Sequence, residues 1–173
     1  MTTINFTVPN IKCSFTIKNL VMKNLFLLVT LSLSQFGFTQ NNSDTLLIRQ
    51  TIDTFFEGMK QGDSTIIRTT LHPSIRMLTC TKDEQKNEIL RTESVHDFLI
   101  AVASPHEDVW NEKLTSFSVL IDQNMAQVWT NYSFYINDTF SHCGVNAFDL
   151  FKDSNGWRIV QIVDTRRRKP CND

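Results

Sequence analysis

His142, Asn146, Asp164 and Arg166, all in the last third of the chain, are side chains of the types that transfer protons or recognise a polar ligand. A carboxylate in an apolar cavity has its pKa raised toward the range useful to a general base, which makes Asp164 the first candidate for catalysis. The competing reading gives Asp164 an ion pair with Arg166 or a hydrogen bond to Asn146, since structural pairs perturb titration too. His142 is a second acid–base candidate, with a hydrogen-bonded wall residue as its alternative. Trp129, with Trp110 and Trp157, offers a surface for stacking a flat ligand, although aromatic residues also fill cores. Asn131, Asn146 and Arg166 join Trp129 as ligand-binding candidates. His142 and Cys143 are consecutive, so on a strand they point to opposite faces and cannot form a nucleophilic dyad. His72, His96, His106 and His142 show no two-ligand spacing on one element, and Cys-x-x-Cys is absent, so neither a metal nor a cofactor is expected.

These side chains meet only if the strands that carry them register correctly. Met125 to Arg168 reads as three antiparallel strands joined by two tight turns. Asn137-Asp138 as a two-residue loop pairs Ile136 with Thr139 and sets Ser133 opposite His142, Asn131 opposite Gly144 and Trp129 opposite Asn146. Asp153-Ser154-Asn155-Gly156 reads as a three-residue loop pairing Asp153 with Trp157, which sets Leu150 against Val160, Phe148 against Ile162, Asn146 against Asp164 and Gly144 against Arg166. One face then carries Trp129, Asn131, His142, Asn146, Asp164 and Arg166 above Phe148, Leu150, Val160 and Ile162. The other carries Val128, Thr130, Tyr132, Phe134, Cys143, Val145, Ala147 and Val163. A sheet apolar on both sides must cover both, one with helices and a pocket, the other with a second subunit.

Upstream, Ile48, Ile52, Phe55, Phe56 and Met59 recur at helical spacing, with Ser43 or Asp44 as the cap and Gly62 after the end. Asp63 caps a second short helix that stops by His72 because Pro73 follows. Ser74 to Thr81 is a strand, followed by a charged loop or short returning strand. Ser94 begins a capping box for a third helix to about Ala103. Leu114 to Ile121 adds the first strand of a four-strand meander. Helices followed by an antiparallel sheet give an α+β layer architecture.

This order, together with VWTNYSFY, FSHCGVNAF, NGWRI and VDTRR, resembles the nuclear transport factor 2-like superfamily, in its secreted bacterial branch labelled "putative lumazine-binding". The resemblance spans Thr45 to Arg168. It implies three helices packed in the concave face of a curved, mainly antiparallel sheet, forming a cone with an internal pocket. Ketosteroid isomerases, polyketide cyclases, scytalone dehydratase and limonene epoxide hydrolase share that fold, beside members that only bind or dimerise. The isomerase's Tyr and Asp oxyanion pair has no counterpart recognisable in this sequence.

With 41% hydrophobic and 20% charged residues, the composition is that of a globular protein. Met22-Lys23-Asn24, then LFLLVTLSL and SQFGFTQ, reads as a secretory signal over residues 22–40, too short to span a bilayer at about 14 Å of helix rise. Residues 1–21 add nothing a signal needs, so translation from Met22 is expected, with a single domain over 41–173 and a secreted or periplasmic location. Beyond residue 40 there remain 14 basic against 18 acidic residues. That balance, with a single basic cluster at Arg166 to Lys169, argues against nucleic acid as a partner. No membrane attachment is expected after signal removal. Cys80, Cys143 and Cys171 allow at most one internal disulfide. Three functions remain open: a non-catalytic small-molecule-binding domain; an isomerase, dehydratase or hydrolase with Asp164 as base; or a homodimeric interaction module without ligand.

Overall fold

Ile48, Ile52, Phe55, Phe56 and Met59 are all buried along one stripe of helix α1, Gly37–Gln61. The computed structural model describes residues 37–168 and Cys171. The expected extension (1–21) and most of the expected signal (22–40) lie outside them. The helix begins earlier than the expected cap, so Asp44 lies within it. There Asp44 accepts hydrogen bonds from Lys152 Nζ (2.6 Å) and Trp157 Nε1 (3.0 Å), pinning the helix to the sheet. The helix ends where expected: Gly62 takes φ 69°, and Asp63 N donates to the Gly58 carbonyl at 2.8 Å, closing the last turn.

Asp63 caps α2, Ser64–Thr70, by accepting from the amides of Thr65 (2.8 Å) and Ile66 (3.3 Å). Strand β1, Leu71–Lys82, follows without a break, and the charged segment after it returns as β2, Glu88–Glu93. Ser94 Oγ accepts from Asp97 N at 3.2 Å and starts α3, Val95–Ala103. The single strand expected over Leu114 to Ile121 is two, β3 (Trp110–Leu114) and β4 (Ser118–Asp122). Both lie along the same edge of β5, Met125–Ile136, which is followed by β6, Thr139–Asp153, and β7, Gly156–Thr165.

The seven strands form one sheet in the order β2-β1-β7-β6-β5-β3, with β4 also on β5. Every pairing is antiparallel except β1 with β7. The α+β class and the mainly antiparallel sheet follow the expectation. Helix residues Ile48, Ile52, Ile67 and Val102 share one buried cluster with Val128, Phe148, Leu150 and Ile159 of the sheet. Phe56 meets Phe148 edge-on at 6.0 Å. Each such side chain contributes about 1.5–3 kcal/mol through its removal from water.

Two registers needed correction. Asn137 and Asp138 both have positive φ, so the expected tight turn forms and Ile136 pairs with Thr139. Three residues on, Ser141 bulges out: Tyr135 pairs with Phe140 but Phe134 with His142. Beyond the bulge, Thr130 lies opposite Asn146 and Trp129 opposite Ala147, so β5 is turned over relative to expectation. Val128, Thr130, Tyr132 and Phe134 belong to the helix-covered face, whereas Trp129 and Asn131 belong to the other. In the second hairpin the loop is one residue shorter than expected, pairing Asp153 with Gly156 and Leu150 with Ile159. A bulge at Val160 restores the offset, so Phe148 meets Ile162 and Asn146 meets Asp164, as expected.

Cys143 and Cys171 form a disulfide, while the Cys80 thiol is free and exposed. Reciprocal backbone hydrogen bonds between Cys143 and Arg167 (2.9 and 2.7 Å) carry the β6–β7 pairing past the end of β7.

Candidate functional site

Gly144 allows the end of β7 to lie close against β6. A Cβ there would collide with the Thr165 carbonyl oxygen and press on the Tyr132 ring. That approach lets Tyr132 Oη donate to the same carbonyl at 2.9 Å. It also brings Asp164 and Arg166 over the concave face, where the helices leave a cavity of about 620 Å³. The volume falls within the range of small-molecule sites.

The walls are mostly apolar. Phe55, Phe56 and Met59 come from α1, Phe98 and Ala101 from α3, and Trp110, Phe134, Phe148 and Ile162 from the sheet. Phe55 and Phe98 stack with ring centres 5.9 Å apart. Trp110 stacks on His106 at 4.8 Å, which fixes its ring plane.

Polar groups converge at one part of this lining. Asn146, only 5% exposed, donates from Nδ2 to Glu112 Oε1 at 2.6 Å. Arg166 donates from Nε to Asp164 Oδ2 at 2.7 Å and reaches Thr79 Oγ1 at 3.5 Å. Arg91 and Glu93 of β2 form a further pair at 2.6 Å. Desolvation pushes the Glu112 carboxyl up to about 8; the Asn146 hydrogen bond opposes this, Asp164 adds to it and Arg166 opposes it. Glu112 keeps some surface because it faces the cavity, and the packed protein behind it supplies the desolvation. Burial and the Arg166 charge lower the His142 pKa, favouring neutral imidazole. Burial raises the Tyr132 hydroxyl, helped by the nearby Glu112 and Asp164. Burial works against the Arg166 charge, but the Asp164 hydrogen bond together with the charges of Asp164, Tyr132 and Glu93 outweighs it.

Of the six candidates from the sequence, His142, Asn146, Asp164 and Arg166 line the cavity. Trp129 and Asn131 do not; Trp129 is 56% exposed on the opposite face because of the Ser141 bulge. Asp164 holds the ion pair that was the competing reading of that residue. His142 lies between aromatic rings, 4.9 Å from Phe134 and 5.8 Å from Tyr132, with Nδ1 3.1 Å from Ser141 Oγ.

Glu112 is the residue that sequence reasoning missed. Its signal was the alternation of Trp110, Glu112 and Leu114, which places a carboxyl on the apolar side of a strand; beginning that strand at Leu114 hid it. Among the described residues, no group of three or more His, Cys, Asp or Glu could hold a metal ion, and no helix is long and apolar enough to cross a membrane.

The architecture has many solved counterparts. An NTF2-like protein of unknown function from Shewanella baltica matches 77% of this chain and 98% of its own, at TM-score 0.53 and 14% identity. A structure titled a putative dehydratase from the NTF2-like family, from Streptomyces avermitilis, matches 73% of this chain and 98% of its own, at TM-score 0.59 and 12% identity. An NTF2-like protein with a cystatin-like fold from Novosphingobium aromaticivorans matches 76% and 86%, at TM-score 0.60 and 10% identity. At such identities the likeness carries the fold alone. A search among curated proteins finds no match. The model of one sequence family matches residues 43–163, which hold most of the cavity lining, and by that match the chain belongs to the family described as "Putative lumazine-binding".

Proposed function

We propose that the cavity binds a small, flat, partly aromatic molecule, and that the domain acts as an exported binding module without catalysis of its own. The observation that carries this reading is the Glu112–Asn146 pair, set in a cavity whose apolar walls include Phe55, Phe98, Trp110 and Phe148. Apolar walls supply most of the affinity for a flat ligand, and a few fixed polar groups orient it. The family's description names lumazine, a bicyclic heterocycle of this kind. Export rests on the signal-like segment 22–40, and N-terminal sequencing of secreted material tests it. A homodimer through the outer sheet face would cover Trp129 and Leu120, exposed at 56% and 72%.

Thermal-shift and calorimetric titration of the domain with lumazine, other bicyclic heterocycles and steroids tests the binding reading. Saturable binding with a rise in Tm is expected for at least one flat heterocycle. No shift with any of them would leave the interaction module as the better account.

A second reading is supported by the Glu112 pKa of about 8, which suits a general acid or base near neutral pH. Under it the protein is an isomerase, dehydratase or hydrolase with Glu112 or Asp164 handling the proton. Once a substrate is found, Asp164→Asn and Glu112→Gln separate the two candidates: the variant that keeps full turnover removes its residue from the mechanism.

A further inference from the structure

We infer that the cavity selects an uncharged planar ligand that presents a lactam-type edge, a carbonyl oxygen beside an N–H, to the Glu112–Asn146 pair. This rests on the binding reading above and narrows it to a ligand class.

The first support is hydrogen-bond accounting. The 2.6 Å bond from Asn146 Nδ2 to Glu112 Oε1 is the one side-chain hydrogen bond that either residue makes among the described residues. Among those residues, no side-chain nitrogen or oxygen that is shut away from solvent lacks a partner. Glu112 Oε2 and Asn146 Oδ1 are unpartnered, so both open onto the cavity. A ligand that enters must satisfy them or lose their hydration without return.

The second support is charge. Both guanidinium groups of the lining are engaged, Arg166 with Asp164 at 2.7 Å and Arg91 with Glu93 at 2.6 Å. His142 is held toward its neutral form and the Tyr132 hydroxyl toward its protonated one. Asp97 of α3 adds a further carboxylate to the lining. An anionic ligand would meet carboxylates and no uncommitted cation.

The third is the protonation of Glu112, which burial favours up to about pH 8. Its Oε2 then donates while Asn146 Oδ1 accepts. A lactam edge answers both, its carbonyl taking the carboxyl proton and its N–H reaching the amide oxygen. A carboxylate ligand offers two acceptors and leaves Asn146 Oδ1 facing an oxygen. Trp110 and Phe98 stand in the same lining to receive the flat body of the ligand.

Calorimetry with three quinolines tests this. 2-Quinolone carries the edge, N-methyl-2-quinolone has lost its N–H, and quinoline-2-carboxylate is an anion. Binding of 2-quinolone about tenfold or more tighter than either analogue is expected. Glu112→Gln keeps a donor and an acceptor, so it should bind 2-quinolone within a few-fold of wild type. Glu112→Leu and Asn146→Leu should each lose about tenfold or more, with thermal unfolding confirming that they fold. Wild-type affinity should fall as pH rises through about 8, and Glu112→Gln should be insensitive over that range. Equal binding of all three probes, preference for the carboxylate, or undiminished binding by the Leu variants would overturn the inference. Failure of 2-quinolone alongside binding of another flat bicycle overturns the lactam edge and spares the binding reading; failure of every flat bicycle overturns both.

Discussion

Glu112→Gln should remove a pH dependence from the stability of the fold. The Glu112 carboxyl has an ordinary value of 4.5 and is pushed up to about 8 when folded. Between those values the folded state holds a proton that the unfolded chain has released, so stability falls as pH rises, by about 1.4 kcal/mol per pH unit. The contribution is fully present below 4.5 and lost once pH passes about 8. Water in the open cavity screens part of the cost, so a loss of about 3–5 kcal/mol across the window is expected. Glutamine can still accept from Asn146 but does not titrate. His142 acts with opposite sign, because its lowered pKa makes stability rise with pH up to its ordinary 6.5, but it is present in both proteins and largely cancels in the difference. Urea unfolding of wild type and Glu112→Gln from about pH 5 to about pH 9 gives the two profiles. The variant should gain on wild type steadily with pH. Parallel profiles would refute the claim that Glu112 is desolvated and protonated in the folded protein.

Three other outcomes follow from the packing. Reducing the Cys143–Cys171 disulfide, or changing Cys171→Ser, frees a loop closed over 28 residues and should cost about 3–4 kcal/mol in a denaturant titration, whereas Cys80→Ser should cost little. Gly144→Ala forces a side chain into the Thr165 carbonyl, so β6 and β7 must separate there; a loss of about 3 kcal/mol or more is expected by thermal unfolding. Trp129→Ser should leave ligand titrations unchanged and, if the outer face pairs two copies, shift sedimentation toward monomer.

Local chemistry made much of the fold legible. Asp63 and Ser94 announce helix starts through oxygen atoms placed to cap backbone amides, and Gly62 announces a helix end. Asn137-Asp138 marks its hairpin because both residues tolerate positive φ. The parallel pairing of β1 with β7 left no such mark, since it is set by contacts between segments some 85 residues apart, as in Arg76 to Gln161. The bulges were equally silent. Ser141 and Val160 look like ordinary strand residues, yet one inverts β5 and the other restores the register of β7. For that reason Asn146 and Asp164 were correctly placed together, while Trp129 was assigned to the wrong face. The disulfide partner of Cys143 could not be read from spacing, because three cysteines allow three pairings.

The most direct measurement of the binding account follows the indole N–H signals of the three tryptophans by NMR, assigned with single Trp→Phe variants. Trp110 lines the cavity, Trp157 is buried against Asp44, and Trp129 stands on the opposite face. Titration with a flat bicyclic lactam should shift the Trp110 signal saturably and leave those of Trp129 and Trp157 near their starting positions. A saturable shift of Trp129 with Trp110 unmoved would contradict the account.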